Sequence, residues 1–131
     1  MRYLGIDYGE KRIGIAISGE EGTLAFPLDV LNNSETLVAD ISVISKENEI
    51  GGIIVGESKN YSGEDNTIMA EIVPFVEKLK KETGIMVEMH PEFLTSFAAE
   101  RFQGKNDMHD ASAAALILQS YLDTKKNKEQ I

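Results

Sequence analysis

Apolar residues alternate with small or polar ones from the first positions of the chain. Residues 2–8, "RYLGIDY", read as a strand, and Gly9-Glu10-Lys11 as a tight turn. Arg12–Ser18 alternates again, with Ile13, Ile15 and Ile17 on one face and Gly14, Ala16 and Ser18 on the other. "GEEG" at 19–22 predicts a second hairpin turn. Thr23–Val30 predicts a third strand, placed at a sheet edge by Pro27, which cannot donate to a ladder. The period then lengthens. Asn32 with Glu35 three residues on resembles a capping box, followed by Leu37, Ile41 and Ile44 at helical spacing. "GGIIVG" at 51–56 and Ile85–Met89 are short, mostly apolar runs suited to buried parallel strands. Between them Ile68, Ile72, Val76 and Leu79 mark a helix that Pro74 should kink or split. Thr95–Phe102 and Asp110–Leu122 predict the last helices.

The predicted order is β-β-β-α-β-α-β-α-α. Three antiparallel strands lead into two parallel ones joined by helical crossovers, which predicts an α/β fold: a mixed five-stranded sheet with helices on both faces. In such sheets, sites form beyond the carboxyl ends of the parallel strands. The length of 131 residues suits a single domain, read as 1–123, with the polar stretch 124–131 expected to fray. The opening "MRYLGIDYG" enters a strand directly and predicts no signal peptide, and no apolar run approaches the ~20 residues of a membrane span. With no cysteine there is no disulfide or thiolate chemistry, which fits a cytoplasmic protein. A net charge of −9 repels polyanions at long range and, taken alone, speaks against nucleic-acid binding.

The acids change that picture. Asp7 lies near the end of the first strand, Glu57 follows the fourth, and Glu92 follows the fifth. Asp107 and Asp110 stand one helical turn apart at the start of the last helix. If strands one, four and five are neighbours, their ends converge. Carboxylates gathered there are tolerable around divalent cations such as Mg²⁺ or Mn²⁺, and two such ions suit phosphodiester hydrolysis. Simpler roles compete. Asp7 could cap the turn at Gly9, Glu57 and Glu92 could be solvated loop residues, and Asp107-Met-His-Asp110 could itself be a capping box. Ala111, Ala113, Ala114 and Ala115 let the helix lie close to the sheet and would bring Asp110 towards Asp7. His90 and His109 make no zinc motif and read first as packing or surface residues; His109, between two acids, is the better candidate for proton transfer. "GESKNYSG" could hold a phosphate on glycine amides, with Lys59 joining Lys11 and Arg12 in a basic rim.

Four segments in order carry a family resemblance. "GIDYGEKRIGIAIS" resembles the opening signature of the YqgF family, within the RNase H-like superfamily. "IIVGESKNYSG" resembles its glycine-then-Asn-x-x-Gly segment through Gly56, Asn60 and Gly63. "HPEFLTS" resembles its Glu-x-Leu segment through Glu92, Leu94, Thr95 and Ser96. "DASAAALILQSYLD" resembles its closing helix from Asp110. The resemblance implies an RNase H-like fold and a metal-dependent nuclease that matures small-subunit ribosomal RNA precursor or resolves Holliday junctions. It places the metal-holding acids on Asp7, Glu92 and Asp110, with Lys11, Arg12, Lys59, Asn60 and Thr95 towards substrate. The chain departs from the family pattern at Pro91 and Phe93, where an aspartate and an arginine are usual, and "FQGKND" is short where a longer basic stretch is usual. Glu57 and Asp107, by contrast, fall where RuvC-type resolvases place acids. The implied partner is structured RNA or branched DNA, bound weakly by one copy or by a homodimer that pools its basic rims. Two other readings stand beside this one. The first is an inactive binding or scaffold protein on the same fold, favoured by Pro91 and Phe93. The second is a nucleotide-phosphate enzyme, since the Asp-x-Gly hairpin also resembles the phosphate loop of the actin and sugar-kinase superfamily.

Overall fold

The computed structural model of the chain describes the backbone of residues 1–57, 69–91 and 109–129, with side chains over 1–56, 70–90 and 111–125. Five strands form one sheet: β1 (Arg2–Tyr8), β2 (Arg12–Ser18), β3 (Ala25–Asn32), β4 (Ile50–Glu57) and β5 (Met86–Pro91). Their spatial order is β3-β2-β1-β4-β5. The three hairpin-linked strands are antiparallel, and β4 and β5 join β1 in parallel. Helices α1 (Leu37–Glu47) and α2 (Met69–Thr83) cover one face, and α3 (His109–Glu129) lies on the other.

The period-2 pattern decides which residue meets which helix. Leu4, Ile6, Ile13, Ile15, Ile53 and Val55 point to one face and pack with Leu37 and Ile41 of α1 and with Ile72, Phe75, Val76 and Leu79 of α2. Tyr3, Ala16 and Ile54 point to the other and pack with Ala114, Ile117, Leu118 and Leu122 of α3. Between those larger residues, Gly5 and Ala114 let the helix sit close to β1. A Cβ on Gly5 would lie 2.8 Å from Leu118 Cβ and 3.0 Å from the Ala114 carbonyl oxygen. Ala111, Ala113 and Ala114 are buried, as the alanine run predicts.

Four local expectations need correction. Asn32 ends β3 and starts no helix. The first turn of α1 follows Thr36, which makes no capping bond to the backbone; its hydroxyl donates instead to Asp40 Oδ2 at 3.1 Å. Pro74 does not split α2, which runs unbroken from Met69 to Thr83. Proline lacks only the bond back to residue 70, beside the start of the described helix, so little of the ladder is lost. The third strand begins and ends two residues later than expected, at the edge that Pro27 required, with a register shift at Ile15/Ala16 beside it. The polar stretch after Leu122 is helical as far as Glu129. Lys125 Nζ donates to the Tyr3 hydroxyl and lies 4.7 Å from the centre of its ring, which ties the stretch down. The helix expected over 95–102 lies outside the described residues.

Candidate functional site

Asp7 is the next-to-last residue of β1, half-buried, on the α3 face with Tyr3 and Gly5. On one side it pairs with Gly14 of β2. On the other, Ile6 pairs with Val55, so Asp7 continues that register to the level of Gly56. Gly56 in turn pairs with His90 of β5. One row across the sheet thus reads Gly14, Asp7, Gly56, His90. In that row both positions beside Asp7, Gly14 and Gly56, are buried glycines. At the carboxyl ends of the parallel strands, Glu57 ends β4 level with Pro91.

The course of α3 sets where its first turn lies. Tyr3 meets Tyr121, ring centres 5.6 Å apart, and Lys125. Two residues further along β1, Gly5 meets Ala114 and Leu118. The helix therefore runs against β1. Stepping from Gly5 to Asp7 covers about 7 Å of strand, and stepping back from Ala114 to Asp110 covers about 6 Å of helix. The first described turn of α3, holding His109 and Asp110, is carried towards Asp7.

The turn after Asp7 is tied down from β3's end. Asn33 Nδ2 donates to the Gly9 carbonyl at 2.9 Å, and the Asn33 amide donates to the Lys11 carbonyl at 2.9 Å. Gly9 has no room for a side chain: a Cβ there would lie 2.5 Å from the Arg12 carbonyl oxygen. Sequence reading gave Asn33 no role, because its partners are more than twenty residues away in the chain. Lys11 and Arg12 are exposed on this turn, as a rim residue must be.

Of the predicted site residues, Asp7, Lys11 and Arg12 have described side chains, and Glu57 and Asp110 have described backbone. Glu92, Asp107, Lys59, Asn60 and Thr95 lie outside the described residues. Among the described residues, no three His, Asp or Glu side chains come together as a metal cluster, and no helix is long and apolar enough to cross a membrane. The carboxylate oxygens of Asp7, at the carboxyl end of β1, are donors of the kind a hard divalent cation takes.

His90, expected to be a packing or surface residue, is half-buried against α3. Its Nε2 is hydrogen-bonded to Ser120 Oγ at 2.9 Å, and its ring meets Tyr121 edge-on at 5.9 Å. Burial, and a hydrogen bond to Glu88, hold the Tyr121 hydroxyl above its ordinary pKa. A separate groove of about 880 Å³ between α1 and α2 is floored by Tyr8 and Phe75, on the face away from Asp7.

A family model described as the RuvX Holliday junction resolvase matches residues 1–124. The chain belongs to the RuvX Holliday junction resolvase family. Relatives in this family are close to it over their whole length. One from Thermoanaerobacter pseudethanolicus, named "Putative pre-16S rRNA nuclease", is 37% identical over 98% of this chain and 100% of its own. Another of the same name from an Anaeromyxobacter species is 38% identical over 94% of this chain and 97% of its own. Among solved structures, Thermus thermophilus RuvC in complex with a Holliday junction substrate shares the fold, with a TM-score of 0.64 at 18% identity over 96% of each chain. The sheet order and helix placement of this RuvX-family chain are thus those of the RNase H-like resolvases. Nucleases and resolvases of this family generally use divalent metal ions.

Proposed function

We propose that the chain is a divalent-metal-dependent endonuclease that hydrolyses phosphodiesters in structured nucleic acid. The observation that carries this is Asp7, set between Gly14 and Gly56 at the carboxyl end of β1, with the first turn of α3 carried towards it. Asp7, Asp110 and Glu92 would hold the metal, Mg²⁺ or Mn²⁺. When bound, such ions lower the pKa of water and offset charge on a transferring phosphoryl group. The protein's part is to fix the acids and to orient the strand. Asn33 holds the turn that aims Asp7, and Lys11, Arg12 and Lys59, with Asn60 and Thr95, meet phosphates. Glu57 and Asp107 extend the acidic set. If Glu57→Ala and Asp107→Ala leave metal affinity unchanged, that extension is wrong.

The relatives' name supports small-subunit ribosomal RNA precursor as the substrate, and the family description supports a four-way DNA junction. Precursor processing would place the protein in the cytoplasm. A net charge of −9 supports weak binding by one copy, strengthened in a homodimer that pools the Lys11 and Arg12 rims. The test offers precursor RNA, a four-way junction and plain duplex in Mg²⁺ and in Mn²⁺, to the protein and to Asp7→Asn. Cleavage that the mutant loses is expected. Pro91 and Phe93 favour a second reading, an inactive nucleic-acid-binding scaffold on the same fold. Binding with no cleavage of any substrate, or cleavage equal in the mutant, would select it.

A further inference from the structure

The row that holds Asp7 continues across Gly56 to His90, two strand spacings away, or about 10 Å. Behind His90 on the same face is a depression of about 550 Å³, lined by Glu88, His90, Tyr121, Thr124 and Lys125 with the edge of Met89. Its chemistry is unlike that of a phosphate site. Glu88 is exposed at the surface and presents a carboxylate, which repels phosphate but accepts hydrogen bonds from N–H groups. One bond comes from the Tyr121 hydroxyl. A carboxylate has about four lone-pair sites, so acceptor capacity remains. The His90 ring, steadied by Ser120 and by the edge contact with Tyr121, supplies an aromatic face. Lys125, held over Tyr3, supplies a cation at the far side, where the Thr124 hydroxyl already donates to the Ser120 carbonyl at 2.9 Å. An aromatic face, an acceptor and a cation are the equipment for an unstacked nucleobase.

We propose that this depression is a base-binding subsite, which takes an unpaired purine of the substrate strand about two or three nucleotides from the cleaved phosphate, at roughly 3.4 Å per stacked nucleotide. The base is guanine, whose adjacent N1 and N2 donors match the Glu88 carboxylate. The proposal rests on the nuclease reading for its place in the reaction, but its binding chemistry can be measured without cleavage. It adds a substrate requirement: a single-stranded residue beside the cut.

The test is binding of the four nucleoside 5′-monophosphates to the full chain without metal, followed by proton NMR and calorimetry. The chain has two histidines, so the ring signals of His90 are easily assigned by their loss in His90→Ala. GMP is expected to shift those signals and to bind about tenfold more tightly than AMP, CMP or UMP, the size of a good two-bond base contact. Glu88→Gln, an isosteric change at an exposed position, should remove the GMP advantage. His90→Ala should weaken all four together. No shift of His90 with any mononucleotide, or a GMP preference unchanged in Glu88→Gln, overturns the subsite. Asp7-dependent cleavage alongside that failure would leave the nuclease reading standing. GMP binding without cleavage would leave the subsite standing and sink the nuclease.

Discussion

Asp7 owes its position to residues without side chains. Gly14 and Gly56 flank it in the sheet, Gly5 lets α3 approach, and Gly9 closes the turn behind it. Gly5→Ala should therefore destabilise the fold by about 1–3 kcal/mol, as overpacking against backbone does. Urea denaturation would measure it, and a neutral result would show that α3 can move outward. Asn33→Ala removes one side-chain bond to Gly9 while leaving the backbone bond to Lys11 in place. The expected loss is about 1 kcal/mol, with a larger fall in cleavage rate than in stability, because the turn that aims Asp7 loosens. Of these residues only Asp7 was legible as chemistry, since an acid at the end of an apolar strand stands out locally. Asn33 was not, because its partners come from the other side of a hairpin.

At the scale of elements, α3 is the decisive piece. Its alanines, Ala111, Ala113 and Ala114, are buried, Ala114 lies against Gly5 of β1, and its far end is fixed by Tyr121 on Tyr3 and by Lys125 on the Tyr3 hydroxyl and ring. Gln119 accepts from the Ala25 amide at 2.9 Å and donates to the Thr23 carbonyl at 3.0 Å, so the same helix also holds the edge strand. Leu118→Ala should cost about 2–5 kcal/mol, the range for a large side chain removed from a core. Lys125→Met keeps the apolar stem and removes the donor. It should cost about 1 kcal/mol and fray the end of α3, which far-UV circular dichroism and amide exchange at Tyr121 would report. The alanine run announced a close-packed helix in advance. The tail did not announce its order, because its anchor is an aromatic ring more than a hundred residues earlier.

For the molecule as a whole, charge sets the terms on which nucleic acid can be met. With 22 acidic and 13 basic residues, no long-range attraction draws a polyanion in. Binding should depend on few phosphate contacts. The slope of log affinity against log salt is therefore expected to be shallow, about −0.9 per phosphate neutralised on duplex. A steep slope, measured by anisotropy on a labelled junction, would mean more phosphate contacts than the Lys11 and Arg12 rim supplies. A divalent ion among the acids should raise affinity beyond its ionic strength, and chelation should reverse that.

The sequence by itself determined the five strands, the hairpin-then-crossover topology and the family, because strand alternation, glycine turns and ordered motifs are local and act within a few residues. It also singled out Asp7 and Asp110 as acids, and the alanines that let α3 lie close to the sheet. Tertiary structure alone decided the rest. It placed Gly14, Gly56 and His90 in the Asp7 row through strand register, gave Asn33 and Tyr3 their work through contacts far apart in the chain, and turned Glu88, His90, Tyr121 and Lys125 into one depression. Register and helix placement are set by what the two faces of the sheet bury, and no short stretch of the chain carries that information.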